Sequence, residues 1–252
     1  MTSVALISDV HANLEALTVV LDHIESQGYE QIVCLGDVVG YGPDPITCTD
    51  FVRKHCHTTL MGNHDEALMK GAWGFNEVAR NAVDWTHRQL RPSWLKPGSR
   101  QRWKFLHELP LRHEAHGWLL VHGSPRDPTC EYILPHDTKW PGSGKFEECF
   151  NAFESICFVG HTHIPGVFDE EPSFRPQKSF DGSFAHTGGK WIVNVGSVGQ
   201  PRDGDPRTCY LGYKDERFSF HRLEYPVEVT REKILDISDL DNRLGDRLLE
   251  GV

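Results

Sequence analysis

The chain has no run of about 18 apolar residues, so nothing in it reads as a membrane-spanning helix. It has no basic block either. Its 26 Lys and Arg stand against 36 Asp and Glu in 252 residues, a net charge of −10, which argues against a protein whose main task is to grip DNA or RNA through phosphates. A short phosphorylated molecule is not excluded, because a local positive site can sit inside an acidic protein. No Cys-x-x-Cys occurs, and the seven cysteines (Cys34, Cys48, Cys56, Cys130, Cys149, Cys157, Cys209) are odd in number and scattered. They form no disulfide frame or zinc knot and point to free thiols in a reducing, cytoplasmic setting. The first residues run into Ser8-Asp9 with neither a basic stretch nor a small-residue cleavage site, so no signal peptide is expected. Repeats, low-complexity tracts and linkers are also missing. What remains is an ordinary folded composition, 38% hydrophobic and 25% charged, whose length suits one domain burying roughly 70–75% of its unfolded surface.

Short apolar runs alternate with amphipathic segments. Residues 4–7, 32–35, 58–61, 118–121 and 156–159 read as buried strands. Leu14, Leu17, Leu21 and Ile24 form the stripe of a helix lying on a sheet, and a second helix follows over about 46–55. Residues 76–109 are helical in pattern with a break at 92–99, and 125–153, rich in Pro, Gly and charge, read as an insertion over a site. Residues 166–168, 191–194, 208–213 and 217–223 read as antiparallel strands, and 230–250 as a closing helix. One domain over 1–252 is expected, with a helical cap at about 66–110.

Five histidines sit directly after predicted strands: His11, His64, His122, His161 and His163. Any one of them is more often a satisfied structural residue than a ligand. Together with Asp9, Asp37, Asn63 and Asp65, also placed after strands, they are a different matter, because strand ends in an α/β sheet face one crevice. Imidazoles and carboxylates without thiolate suit Mn, Fe, Zn, Co or Ni, and the carboxylates are too few for calcium. Seven candidate ligands exceed one tetrahedral zinc; two ions sharing a carboxylate, about 3.5–4 Å apart, would use them and clamp a phosphoryl group.

Asp9-x-His11, Gly36-Asp37, Gly62-Asn63-His64-Asp65, His122 and Gly160-His161-x-His163, in that order, resemble the signature of the calcineurin-like metallophosphoesterase superfamily. The loop at 194–204 is similar to that of small bacterial members, extending the likeness to about residue 213. Val195 stands where that loop usually has Pro, and Ala12 where Gly commonly follows the first motif; neither departure touches a ligand.

The resemblance implies an α/β fold, a four-layer α-β-β-α sandwich of two mixed sheets. It implies two divalent transition-metal ions, one on Asp9, His11 and His163, the other on Asn63, His122 and His161, with Asp37 bridging and a bridging hydroxide as nucleophile for in-line attack. Two divalent ions, two carboxylates and a hydroxide leave about one net positive charge for phosphate. His64 would steady the phosphate and protonate the leaving oxygen, with Asp65 orienting its ring. The expected activity is hydrolysis of a small-molecule or nucleotide phosphoester. A symmetrical dinucleoside-polyphosphate hydrolase and a protein serine/threonine phosphatase share the ligand set, and a non-catalytic scaffold of this fold should have lost ligands that are all present here.

Arg126 and Arg202 can fork onto a phosphate, or pair with Asp127 and Asp203 beside them. Tyr132 and Trp140 can stack on a base or form the insertion's own core, and Tyr41 carries the same two readings. His55, His57, His113 and His116 read as solvated, and Asp239, Asp241 and Asp246 with Arg243 and Arg247 as a salt-bridged surface. No stable nucleic-acid or membrane partner is expected.

Overall fold

Alternation within single strands sets the layers. In the first run Val4 and Leu6 belong to one apolar cluster and Ala5 and Ile7 to another. The split repeats at Leu120 against Leu119 and Val121, Phe158 against Cys157 and Val159, and Val193 against Ile192. Each strand therefore buries both faces, as a sheet does when a second sheet covers one side and helices the other.

A computed structural model describes residues 3–252. Its strands are β1 (Val4–Ile7), β2 (Gln31–Cys34), β3 (Thr58–Thr59), β4 (Arg112–Ala115), β5 (Trp118–Val121), β6 (Ile156–Val159), β7 (Gly166–Asp169), β8 (Ser173–Pro176), β9 (Ser183–Phe184), β10 (Trp191–Asn194), β11 (Thr208–Lys214) and β12 (Arg217–Leu223). Its α-helices are α1 (Leu14–Gln27), α2 (Pro45–His55), α3 (Asn63–Lys70), α4 (Glu77–Leu90), α5 (Ser99–His107), α6 (Lys145–Asn151), α7 (Val227–Leu235) and α8 (Arg243–Asp246).

The strands form two mixed six-stranded sheets, ordered β3-β2-β1-β11-β12-β9 and β4-β5-β6-β10-β7-β8. β1, β2 and β3 are parallel, as are β5, β6 and β10; the remaining pairings are antiparallel. Leu6, Leu35, Leu60, Phe158, Val193 and Leu211 fill the space between the sheets. Leu17, Val20, Leu21 and Ile24 of α1 and Val52 of α2 cover the outer face of the first sheet. Phe146 and Phe150 of α6 cover that of the second. Each fully buried Leu or Phe contributes about 1.5–3 kcal/mol, so truncating one such as Leu6 to Ala costs roughly 2–5 kcal/mol.

Local signals end the elements. The Asn13 side chain accepts from Ala16 N at 3.1 Å to cap α1, and Gly28 closes it in the left-handed region. Asp215-Glu216 and His116-Gly117, all at positive φ, are the two-residue turns of the β11–β12 and β4–β5 hairpins. The helical pattern at 76–109 becomes α4 and α5, which pack with Leu90 and Leu106 on the core under α1 and α2.

Three elements depart from the sequence reading. The run at 58–61 is a strand only at Thr58–Thr59, because Met61 N turns to Pro110 O. β10 is parallel to β6, so the strands after residue 166 are not all antiparallel. The segment 230–250 is not one helix: α7 stops, and Leu240, Leu244 and Leu248 fold back with Ile234 onto Ala82 and Trp85 of α4. The intervening Asp-Ile-Ser-Asp-Leu-Asp-Asn stretch favours turns over helix. No helix among the described residues is long and apolar enough to cross a membrane.

Candidate metal centre

Five strand ends deliver the site. Asp9 and His11 follow β1, Asp37 follows β2, Asn63 and His64 open α3 after β3, His122 follows β5, and His161 and His163 follow β6. All are buried, with Asp9 and His122 fully closed to solvent. Asp9 Oδ2 accepts from His161 N at 3.1 Å and so ties the two sheets together, and Asp37 Oδ1 accepts from His64 N at 2.8 Å within the first.

The backbone is strained where the donors are. Asp9, His11, Asp37, His161 and His163 all have φ between 46° and 63°. That left-handed region costs a non-glycine residue about 1–2 kcal/mol. The other non-glycine residues at positive φ among the described residues are the nearby Ala12 and Tyr41 and the hairpin residues His116, Asp215 and Glu216. A turn explains those three. The cluster at the site is held by the surrounding structure, as strained functional loops are.

Asp9, His11 and His163 form one group of converging donor atoms and Asp37, His122 and His161 another, and a third group of His11, Asp37 and His64 overlaps both. In the first, His163 Nε2 lies 3.2 Å from His11 Nε2 and 3.1 Å from Asp9 Oδ1, and His11 Nε2 is 3.6 Å from Asp37 Oδ2. In the second, His122 Nε2 lies 3.2 Å from both His161 Nδ1 and Asn63 Oδ1, and 3.4 Å from Asp37 Oδ2.

The opposite nitrogen of each ring meets a backbone carbonyl. His11 Nδ1 faces Val39 O at 3.3 Å, His122 Nδ1 faces Leu35 O at 3.2 Å, His163 Nδ1 faces Gln200 O at 2.5 Å, and His161 Nε2 faces Cys130 O at 3.1 Å. A carbonyl only accepts, so each outer nitrogen carries a proton and the inner nitrogen is left to face the carboxylates. The four inner nitrogens then converge on one another and on two carboxylates, and Asp9 Oδ1 is left with no hydrogen-bond partner. Converging groups of this kind call for a cation between them. The set fits divalent transition metal, with nitrogen, carboxylate and amide oxygen donors and no thiolate.

Charge behaves accordingly. Burial alone would raise Asp9 and Asp37, but the neighbouring imidazoles, His163 for the first and His122 for the second, hold both carboxyls below the usual range. Burial pushes His11 and His163 down and His161 to about 3. His122 alone goes up, to about 9, because Asp37 beside it outweighs burial. The pocket thus holds two buried carboxylates and draws positive charge toward Asp37.

His64 lies beside the donors, its Nδ1 buried and without a partner. The reading that Asp65 orients this ring is corrected by the structure. The Asp65 carboxylate accepts from Val38 N, Val39 N and Gly62 N, so it ties the Asp37 loop to the start of α3. The His64 ring is held by packing instead, 4.3 Å from Tyr41 and 4.9 Å from Phe75 between centroids. Gly40 permits the approach, since a Cβ there would stand 2.3 Å from His64 Nδ1.

The remaining candidates divide. Tyr132 stacks on the His161 ring at 3.8 Å and 15°. Arg202 is also close: its guanidinium holds Gln200 Oε1 at 2.7 Å, its charge lowers both His64 and His163, and its expected pairing with Asp203 is absent, Arg222 taking that carboxylate. Arg126 is not brought in; Glu131 and Glu148 occupy its guanidinium. Trp140 is turned to solvent. Trp73 and Phe75, passed over in the sequence, line a cavity of about 270 Å³ with Tyr41, Asn63, His64, Tyr132 and His161. Only the aromatic-glycine stretch at 73–75 hinted at them. Of the segment at 66–110, residues 73–79 border this cavity, while α4 and α5 lie in the flanking helix layer.

A family model of the calcineurin-like phosphoesterase superfamily domain matches residues 2–216. An uncharacterized protein of Methanocaldococcus jannaschii is 34% identical over 257 residues, covering 98% of each chain. A metallophosphoesterase from Sphaerobacter thermophilus superposes with a TM-score of 0.83 at 37% identity, over 100% of this chain and 99% of its own. A hypothetical protein from Pyrococcus horikoshii, 20% identical, shares the fold with a TM-score of 0.73 over 100% and 99%. Fold and donor set together define a phosphoesterase-type protein with a candidate metal-binding cluster. The chain belongs to the calcineurin-like phosphoesterase superfamily.

Proposed function

We propose that this protein is a dinuclear metal-dependent phosphoesterase acting on a small phosphorylated molecule or nucleotide. The observation that carries the reading is the set of four imidazoles whose outer nitrogens are fixed by backbone carbonyls while their inner nitrogens converge with Asp9 and Asp37. Asp9, His11, Asp37 and His163 would hold one divalent ion and Asp37, Asn63, His122 and His161 a second (Mn, Fe, Zn, Ni or Co), supplying Lewis acidity and an activated water for attack on phosphorus.

The chain's own residues do the rest. His64, pushed down to about 4 by burial, is neutral until a phosphate dianion beside it favours its protonated form, and it then donates to the leaving oxygen. Tyr132, covering His161, and the Trp73–Phe75 segment line a cavity sized for a small substrate. We take residues 1–252 as one working unit in which 73–79 and the 125–153 segment wall the site, and a reducing cytoplasm as its setting, on its seven free cysteines.

Protein reconstituted with Mn²⁺ should hydrolyse at least one of p-nitrophenyl phosphate, bis-p-nitrophenyl phosphate, a dinucleoside tetraphosphate, a cyclic nucleotide or a phosphopeptide. The monoester-to-diester rate ratio assigns the subclass. Less than one transition-metal equivalent bound, together with no hydrolysis of any ester, rejects the reading.

A further inference from the structure

Tyr41 marks an unexplained device at the edge of the site. It is a tyrosine at φ 60°, in the left-handed region where a side chain is strained, with glycine on either side. Gly42 packs so tightly on the loop after β1 that a Cβ would stand 2.2 Å from His11 O. The chain accepts this geometry and thereby sets the Tyr41 ring against His64 at 4.3 Å and His11 at 4.8 Å. Tyr41 also separates two cavities. One is the space of about 270 Å³ that contains Asn63, His64 and His161; the other, about 420 Å³, is lined by Asn76, Glu77, Val78, Arg243, Leu244 and Arg247.

Two guanidinium groups close on the same ring. Arg202 Cζ lies 5.8 Å and Arg247 Cζ 5.7 Å from the Tyr41 centroid. The expectation that Arg247 belongs to a salt-bridged surface fails. Arg243 holds Asp241, Arg231 holds Asp246 and Arg88 holds Asp239. Arg247 donates to the Val252 oxygen at 2.6 Å, and Arg202 to Gln200, from its backbone to His163, and toward the Tyr132 hydroxyl. Neither is paired with a carboxylate side chain among the described residues, although Glu77 lines the second cavity with Arg243 and Arg247. Burial, then the charge of Arg202, pushes Arg247 down to about 10. Two adjacent, half-buried guanidinium groups whose partners are only the Val252 and Gln200 oxygens and the Tyr132 hydroxyl repel one another. The face of Tyr41 offsets part of that, by about 0.5–2 kcal/mol per cation. An anion lying between the forks would satisfy the remainder with charge-assisted bonds.

We propose that Arg202, Arg247 and Tyr41 form an anion subsite beside the metal centre, which receives a second phosphate carried by the substrate whose first phosphate is at the metals. The proposal rests on the phosphoesterase reading above and narrows it to compounds bearing more than one phosphate. Arg202, nearer His163 and His64, would span the two phosphates, and Arg247 would define the far one.

The test is calorimetric titration of Mn²⁺-loaded protein with methylenediphosphonate and with methylphosphonate, metal content being measured before and after. The wild type should bind the diphosphonate at least about tenfold more tightly, the value of one charge-assisted bond pair. Arg247→Gln and Arg202→Gln should each erase most of that ratio, Arg247→Lys should erase part of it, and Arg243→Gln, whose guanidinium is already taken by Asp241, should leave it intact. Equal affinities in the wild type overturn the proposal, and so does an unchanged ratio in Arg247→Gln or an equal loss in Arg243→Gln. Should Arg247→Gln not fold, Arg247→Lys and Arg202→Gln decide by the same criterion. A wild type that prefers the diphosphonate but hydrolyses no ester would leave the subsite standing and reject the phosphoesterase reading; one that hydrolyses monoesters without that preference would do the reverse.

Discussion

At the joined ends of the two sheets, His11, His122, His161 and His163 turn ring nitrogens toward one another. On the outer side of the first sheet, His23 and His221 turn theirs toward hydroxyls: His23 Nδ1 meets Tyr210 OH at 2.8 Å, and His221 Nε2 meets Tyr29 OH at 3.0 Å. Both are clusters of imidazole inside the same fold. In the second, His221 stacks on Tyr210 at 4.6 Å, no carboxylate joins the rings, and neither histidine has strained backbone. A hydroxyl can donate or accept, so each ring finds a complementary partner and the group is complete. In the first cluster, carbonyls behind the rings take the outer N–H groups and the inner nitrogens converge on carboxylates, an arrangement that calls for a cation. A metal site is thus distinguished from a packed histidine core by the sign of what surrounds each ring, and histidine count alone does not separate them.

The largest effect expected on this contrast is from Asp37→Asn, which removes the carboxylate proposed to bridge both ions. Retention of Mn²⁺ through gel filtration, read by elemental analysis, should fall by more than the roughly 10–100-fold that loss of an outer-sphere partner costs. Unchanged metal content would show that Asp37 is not a shared ligand. Next comes His64→Ala, which should keep the metal and lower kcat on substrates with poor leaving groups by about 10²–10⁴, with much less loss on p-nitrophenyl phosphate. Metal loss equal to that of Asp37→Asn would place His64 among the ligands instead.

His221→Gln sharpens the other side of the comparison. Burial, then the nearby His23, lowers His221 to about 4 from the ordinary 6.5. Above pH 6.5 both folded and unfolded states hold it neutral. As the pH falls the unfolded chain takes up the proton first, so stability declines down to about pH 4, where the folded imidazole is protonated as well. Denaturant melts across pH 4–7 should show a shallower decline in His221→Gln, with metal content untouched; an identical pH profile would mean that the cluster does not exclude charge. Smallest of all is Arg126→Gln, which breaks partly exposed ion pairs to Glu131 and Glu148 and should change stability by no more than about 1 kcal/mol and the kinetics not at all. A clear rise in KM would return Arg126 to the substrate site.

Much of the arrangement was legible beforehand because it is local in sequence. A strand that ends in Asp-x-His or Gly-His-x-His announces both the buried run and the loop, and the alternation of Leu119, Leu120 and Val121 already implies two covered faces. β4, β8 and β9 were not legible, being short edge strands with no apolar alternation that form only against a neighbour. The break in the C-terminal helix follows from where Trp85 sits, far away in the chain. Asp65 was misread because nearness in sequence to His64 suggested contact, whereas the helix start turns its carboxylate toward the backbone of the Asp37 loop.

The sequence by itself determined which donors stand together: residue type and strand-end position name Asp9, His11, Asp37, Asn63, His64, Asp65, His122, His161 and His163, since hydrophobic period and the following polar loop are written consecutively, and the family resemblance marks seven of them as expected ligands. Only the tertiary structure decided how those atoms are presented. The carbonyls of Val39, Leu35, Gln200 and Cys130 that fix each imidazole, and the meeting of Arg202 with Arg247 at Tyr41, come from segments 28 to 206 positions apart along the chain. Hydrogen-bond direction and the cancellation of charge depend on distances of a few ångströms in space, and no order of residues along the chain specifies them before the two sheets have closed on one another.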